Sequence, residues 1–269
     1  MDNTVLFSGC SYTFGDGFDL NKNESGLWVN LLHKEFFKKL DLVNISTLTE
    51  LTNHSIFVKT LNFLLDNNPK FAFVQWTSYP RYRIQLGIDN YSANIVTFSP
   101  SKNLNDLKTN IPGYPLDYLN SVKNRFLMLH HPHYGILEII NYINILIKLC
   151  NLKKIKIFFI NGLCHWDENY FTFIDNQLPD NYTEYTKKIL DTKNKTNNEI
   201  LELYNKIHSD YTQLGSIQAL YWLNLYQSMM SSRIDTNSDN FHPGLKSNQL
   251  LFERFSLALL NNLDTKSTV

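Results

Sequence analysis

Two short stretches of this chain hold the residue types that an activated oxygen nucleophile needs. Near the start, Ser11 lies within Gly9-Cys10-Ser11-Tyr12-Thr13-Phe14-Gly15, directly after the apolar run Val5-Leu6-Phe7. Near the other end, Asp239-Asn240-Phe241-His242 sets a carboxylate and an imidazole on one short segment. A serine hydroxyl attacks poorly until a base takes its proton, and the base works better when a third group orients it. The D-x-x-H step keeps Asp239 and His242 on one loop, so one can position the other. Ser11 must arrive from the opposite end of the sequence, which only a folded domain can arrange. A working pair needs the Ser11 hydroxyl and the His242 ring within about 2.6–3.2 Å, with Asp239 near the other ring nitrogen.

The elements that could bring these residues together follow from the apolar pattern. Val5–Phe7, Leu42–Ile45, Phe71–Trp76 and Ile155–Ile160 read as strands, the third continuously apolar as buried parallel strands tend to be. Between them, Gly26 to Leu40 carries Leu27, Leu31, Phe36, Phe37 and Leu40 at helical spacing, and Asn53 to Leu65 reads as a helix with Asn53 as its N-cap. Pro115 to Leu152 is mostly helical with a break near Pro132, residues 182–231 supply further helices, and Ser247 to Leu263 closes the chain as a helix. Strands alternating with helices predict an α/β fold, a three-layer α/β/α sandwich around a central parallel sheet. In such sheets ligands bind at the carboxyl ends of the strands. Ser11 follows the first strand, Thr77 the third, and Cys164-His165-Trp166-Asp167 the fourth, so all three fall on one edge. Residues 82–115 lack a helical period, and Arg83 to Phe98 alternates around Asp89-Asn90, a hairpin turn. This stretch is read as a flap inserted beside the site, within a single domain spanning residues 1–269.

The Ser and D-x-x-H blocks together resemble the SGNH (GDSL-type) hydrolase family. The family's first block, G-D-S-x-T-x-G, is similar to Gly9–Gly15, with Cys10 in place of the usual Asp. Its last block, D-x-x-H, is matched by Asp239–His242 and continues into Pro243-Gly244. The order, the separation and the positions after a first strand and before a terminal helix carry the resemblance over nearly the whole chain. It implies a flavodoxin-like sheet and an ester hydrolase with Ser11 as nucleophile, His242 as base and Asp239 orienting the ring; Asp235 lies close enough in sequence to be the alternative. The two middle blocks depart from the family. No Gly stands in Asn44–Asn53, and no G-x-N-D follows the third strand, which runs into Gln75-Trp76-Thr77-Ser78-Tyr79-Pro80-Arg81. The Ser11 backbone N–H then supplies one oxyanion donor, with Asn53, Thr77 and Ser78 as candidates for the rest. Each donor matters, since losing one typically costs about 100–1,000-fold in rate.

Other polar clusters read less sharply. Arg81 offers a bidentate partner for a carboxylate or phosphate, and His165 and Trp166 stand where a pocket wall would touch substrate. His130-His131-Pro132-His133 is a poor metal site, because adjacent His residues diverge and no carboxylate or Cys completes the shell. No metal and no organic cofactor is expected. The formal net charge is +0 and the pI is about 7.1, with no basic stripe, so no nucleic-acid partner is expected. With 43% hydrophobic and 14% aromatic residues, the chain has ample material for a core. Ile136–Cys150 is apolar but broken by Glu138, Asn141, Asn144 and Lys148, too short and polar to span a bilayer. Met1-Asp2-Asn3-Thr4 has no secretory character, and three cysteines without metal-like spacing suit reduced thiols in the cytoplasm. The expected substrate is an O-acyl carbohydrate or small-molecule ester. The same residues also fit an acyltransferase, and the altered middle blocks fit a non-catalytic binding or scaffold protein on the same fold.

Overall fold

The computed structural model describes residues 2–15, 26–46, 52–77, 82–89, 92–98, 121, 134–161, 234–236 and 243–263. The first strand, β1 (Asp2–Ser8), enters a one-turn helix, α1 (Ser11–Phe14). Then come α2 (Trp28–Phe36), β2 (Asp41–Asn44), α3 (Asn53–Asp66) and β3 (Pro69–Trp76). A hairpin of β4 (Tyr82–Asp89) and β5 (Ser92–Phe98) follows, then α4 (Tyr134–Lys153), β6 (Lys156–Asn161) and the closing helix α5 (Leu245–Leu263). The expected helical stretches over 115–133, residue 121 apart, and over 182–231 lie outside the described residues. The described elements follow the sequence expectations, with three boundary changes that carry physical meaning. Helix α2 stops at Phe36 rather than Leu40, because Phe37 makes the last helical bond, to the His33 carbonyl, and then leaves the helical conformation at φ −125°, with its ring packed on Phe71 and Phe73. The N-cap of α3 is Thr52, whose hydroxyl accepts from the Ser55 N–H, and not Asn53. Helix α5 begins two residues earlier than expected, at Leu245.

Four strands form one parallel sheet in the order β2-β1-β3-β6. Side chains alternate between faces along each strand, and the register sets Phe7 beside Phe73 and Phe73 beside Phe158. These three rings stack in a row, with centroids 4.8 and 4.6 Å apart. Trp28 of α2 lies edge-on against Phe7 and tilted against Phe255 of α5, so α2 and α5 cover this face. Such aromatic pairs add about 0.5–1.5 kcal/mol each beyond their buried area. The opposite face carries Ser8, which accepts from Thr60 of α3, and Trp76, which stacks on Phe159 and tilts against Tyr142 of α4. Tyr142 stacks on Phe57 with centroids 4.2 Å apart, which joins α3 to α4 over that face. Burial and then the neighbouring Glu138 carboxylate push the Tyr142 phenol up. The protein is therefore an α/β/α sandwich around a parallel sheet.

Lys153 closes the far end of α3, donating from its ammonium to the carbonyls of Leu64, Leu65 and Asn67. A lysine there satisfies orphan carbonyls and complements the negative helix end. The β4–β5 hairpin is present as expected but pairs Asp89 with Ser92, so Asp89 belongs to the strand and not to the turn. It forms a separate two-stranded sheet, and residues 99–115 of the expected flap lie outside the described residues. No helix among the described residues is long and apolar enough to cross a membrane.

The strand order sets where the helical connections part. The connection leaving β1 runs through α2 on one face, and the connection leaving the adjacent β3 runs through α4 on the other. Neighbouring strands whose following helices diverge in this way leave a crevice outside their carboxyl ends. Ser11 stands just past β1 and Thr77 just past β3.

Candidate functional site

The turn that carries Ser11 is built around a buried amide. Gln75 on β3 is fully buried. Its Oε1 accepts from the Cys10 N–H at 3.2 Å, the Thr13 hydroxyl at 2.7 Å and the Cys10 thiol at 3.3 Å. Its Nε2 donates to the Trp76 carbonyl at 2.7 Å. Gly9 lies so close to this cluster that a Cβ there would stand 2.4 Å from Thr13 Oγ1 and 2.8 Å from Gln75 Oε1. The first Gly of the block is thus required by close approach. The last, Gly15, has φ 90°, the left-handed conformation that closes α1 with its N–H on the Ser11 carbonyl. Ser11 opens this single turn and retains 7% exposure. The far end of the turn is held by Asn44, which donates to the Thr13 carbonyl at 3.0 Å, and by the Trp28 indole, which donates to the Tyr12 carbonyl at 3.3 Å.

Asn53 and Thr77 meet at the carboxyl end of β3. Asn53 Oδ1 accepts from the Thr77 N–H at 2.8 Å, and its Nδ2 donates to the Thr77 carbonyl at 3.4 Å. Because Thr52 takes the capping role, the Asn53 amide is available to grip this peptide. Both residues are buried, Asn53 at 5% and Thr77 at 1% exposure. Two of the expected oxyanion candidates are therefore brought together beside the crevice. At the end of β2, Ser46 is buried and its hydroxyl has no hydrogen-bond partner among the described residues, while its N–H donates to Asn44.

The segment bearing Asp239 and His242 lies outside the described residues, as do Ser78, Arg81, His165, Trp166 and the 130–133 histidines. Both stems of that segment are described, and they are tightly fixed. Thr236 and Pro243 form an antiparallel bridge, and the Gly244 N–H donates to the Asp235 carbonyl. A Cβ on Gly244 would stand 2.6 Å from Asp235 Oδ2, so the Gly after Pro243 is also a close-approach glycine. Asn248 donates from Nδ2 to the carbonyls of Pro243 at 3.2 Å and Gly244 at 2.9 Å, and its Oδ1 accepts from the Trp28 N–H at 3.1 Å.

Asp235 is committed elsewhere. Its carboxylate accepts from the Lys246 N–H, the Ser247 N–H and the Ser247 hydroxyl, satisfying the first turn of α5. Burial alone would raise this carboxyl. The Ser247 hydroxyl, the two N–H donors and the Lys246 charge outweigh it and hold the carboxyl below its usual range. A carboxylate so lowered stabilises the fold above its unfolded pKa, and the contribution fades as pH falls through the lowered value. Asp235→Asn should therefore cost about 1 kcal/mol at neutral pH, as cap losses typically do. The difference in Tm from the unsubstituted protein should begin to shrink below about pH 4, where the unfolded carboxyl takes up its proton, and go on shrinking as pH falls through the lowered native value. Thermal melts across pH 3–7 check this, and a constant difference would show that the charge plays no part.

Among the described residues no group of His, Cys, Asp and Glu is placed to hold a metal ion. Cys10 and Cys150 are buried free thiols. Burial, only partly offset by Lys153, pushes the Cys150 thiol up to about 12, so it is not a nucleophile. The residues that sequence reasoning passed over are Gln75, Trp28, Asn248 and Ser46. Gln75 had one visible mark, a polar residue inside a strand otherwise apolar from Phe71 to Trp76.

No protein-family model matches the chain, and no curated protein matches it significantly. Among solved structures it is similar to the crystal structure of the psychrotrophic esterase EstA from Pseudoalteromonas sp., inhibited by monoethylphosphonate. That similarity has 12% identity, a TM-score of 0.46, and coverage of 98% of this chain and 100% of the other. It is also similar to the crystal structure of TesA, at 14% identity and a TM-score of 0.40, over 95% of this chain and 97% of the other. The fold assignment rests on the sheet order and its two helical layers.

Proposed function

We propose that the chain is a serine ester hydrolase. Ser11 attacks an ester carbonyl, His242 takes its proton and Asp239 orients the imidazole. The observation that carries this reading is that Ser11 follows β1 and Thr77 follows β3, two adjacent parallel strands whose connections part at that edge. Two further facts support it. The Ser11 turn is anchored through buried hydrogen bonds, as a nucleophile that must be held in one geometry requires. The other carboxylate near His242, Asp235, is occupied by α5, which leaves Asp239 for the imidazole. The Ser11 N–H and the Asn53–Thr77 pair, with Ser78, are the proposed oxyanion donors. Arg81, His165 and Trp166 are proposed to contact the acyl or alcohol portion of an O-acyl carbohydrate or small-molecule ester, and the 82–115 insertion to flank the cleft.

A fluorophosphonate probe tests the reading directly. An activated Ser11 oxygen attacks phosphorus, fluoride leaves, and the hydroxyl proton passes to His242. Intact mass should rise by one phosphonyl group, and peptide mapping should place it on Ser11. The altered middle blocks favour the alternative of a non-catalytic protein on this fold, and absence of labelling at Ser11 would establish that alternative. For the oxyanion site, Thr77→Val should lower kcat by about 10- to 1,000-fold with little change in KM, as expected for an interaction made mainly in the transition state. An unchanged kcat would clear Thr77 and move attention to Asn53 and Ser78.

A further inference from the structure

We propose that Trp28 and Asn248 form a buried strut that sets the approach of His242 to Ser11, so that both are positioning residues for the reaction. This inference rests on the triad reading above and extends it to residues outside the two sequence blocks. The strut is continuous and made of hydrogen bonds. The Trp28 indole N–H donates to the Tyr12 carbonyl, one residue past Ser11. The Trp28 backbone N–H donates to Asn248 Oδ1. Asn248 Nδ2 donates to the carbonyls of Pro243 and Gly244, the residues that follow His242. Two side chains thus bridge parts of the chain separated by more than two hundred residues.

The strut is placed where it must hold its shape. Trp28 is fully buried and Asn248 is 2% exposed. The Trp28 ring is wedged between Phe7 and Phe255, so it is fixed to the sheet and to α5 together. Asn248 uses both amide ends at once, and only a side chain with one acceptor and two donors can do so. A Leu of similar volume would remove the side-chain partner of the Trp28 N–H and of the Pro243 carbonyl, and leave the Gly244 carbonyl with the Asn248 N–H alone. Helix α5 also starts from this point, with the Asn248 N–H on the Gly244 carbonyl and Asp235 on the first turn. The stem after His242 is therefore held on one side by Asp235 and on the other by Asn248. Of these, Asn248 is the one that reaches the Ser11 turn through Trp28. A small error in placing a base can cost about a hundredfold in rate, so a rigid link of this kind has catalytic consequence.

Three variants test it. Trp28→Phe keeps an aromatic ring but removes the bond to Tyr12 and part of the buried indole, so its loss of Tm is compared with that of Lys153→Met. Asn248→Asp keeps the acceptor for the Trp28 N–H and removes the donors to Pro243 and Gly244. Lys153→Met, which loosens the far end of α3, serves as a control for general destabilisation. All are assayed well below their own Tm for phosphonate labelling of Ser11, for kcat and KM on an aryl ester, and for amide hydrogen exchange. Asn248→Asp should label at least 10-fold more slowly and lose kcat in proportion, with KM changed less than threefold. Trp28→Phe should show the same pattern to a smaller degree, while Lys153→Met should lower Tm and leave the labelling rate alone. Folded Trp28→Phe and Asn248→Asp proteins that label at the unsubstituted rate would overturn the strut. If the unsubstituted protein does not label at Ser11, the triad reading falls by itself and exchange decides the strut. Faster exchange in Asn248→Asp at Phe14 and Gly15 as well as at Gly244 would support the link, and exchange confined to Gly244 and its neighbours would overturn it.

Discussion

Ser11→Ala is expected to abolish turnover of short-chain aryl esters, by about 10⁴-fold or more, while leaving Tm and the circular-dichroism spectrum unchanged. The size follows from what the hydroxyl does. Removing the nucleophile of a serine–histidine pair removes the covalent route altogether, and what survives is binding and oxyanion stabilisation acting on water. The fold should tolerate the change because the turn is held by its neighbours. Cys10 and Thr13 bond to Gln75, Tyr12 accepts from Trp28, and Gly15 closes the helix on the Ser11 carbonyl, which alanine retains. Alanine also favours the helical conformation that Ser11 adopts. Undiminished activity in a folded Ser11→Ala protein would exclude Ser11 as the nucleophile. Activity lost together with the fold would instead mean that the residue had been misread as dispensable to the turn.

The parts of this molecule that were legible in the sequence are those set by local pattern. Val5–Phe7 and Phe71–Val74 are continuous apolar runs because both faces of β1 and β3 are covered by helices, and such a run can be read without knowing its neighbours. The Asp89-Asn90 pair announced its hairpin for the same reason, since its signal is local. Gly9, Gly15 and Gly244 were legible as motif glycines, and the structure supplies their reasons: two close approaches and one left-handed cap. What escaped the sequence depends on partners far along the chain. Nothing in Thr52-Asn53 says which residue caps the helix, because the outcome is decided by the Thr77 peptide, which gives Asn53 a better use. The sequence offers Asp239 first and Asp235 as its alternative, and nothing local in it shows that Ser247 binds Asp235. Asn248 reads as an ordinary helix residue until its bonds to Trp28, Pro243 and Gly244 are traced.

Gln75 is the position where a single substitution should do most harm to the fold. Its amide answers the Cys10 N–H, the Thr13 hydroxyl and the Trp76 carbonyl, all in a region closed to water. Gln75→Leu leaves these groups unpaired, at about 1–3 kcal/mol for each buried orphan. Allowing for relaxation, the expected loss is about 3–5 kcal/mol, a large part of the roughly 5–15 kcal/mol that holds a typical domain together. Gln75→Glu separates hydrogen bonding from shape. A carboxylate there still accepts from Cys10 and Thr13 but faces the Trp76 carbonyl without a proton to give, and it is buried as a charge. Burial and that carbonyl both favour the neutral acid, so its folded pKa should rise well above the unfolded value of about 4.3. The folded state then binds more protons than the unfolded state above that pH, and stability must fall as pH rises through the interval between the two values. Gln75→Glu should therefore melt close to the unsubstituted protein near pH 4 and progressively lower toward neutrality, whereas Gln75→Leu should be destabilised at every pH. Urea melts at pH 4, 5.5 and 7 distinguish the two patterns. A Gln75→Leu protein as stable as the original would mean that the buried amide does not hold the Ser11 turn, and the support that turn gives to a fixed nucleophile would go with it.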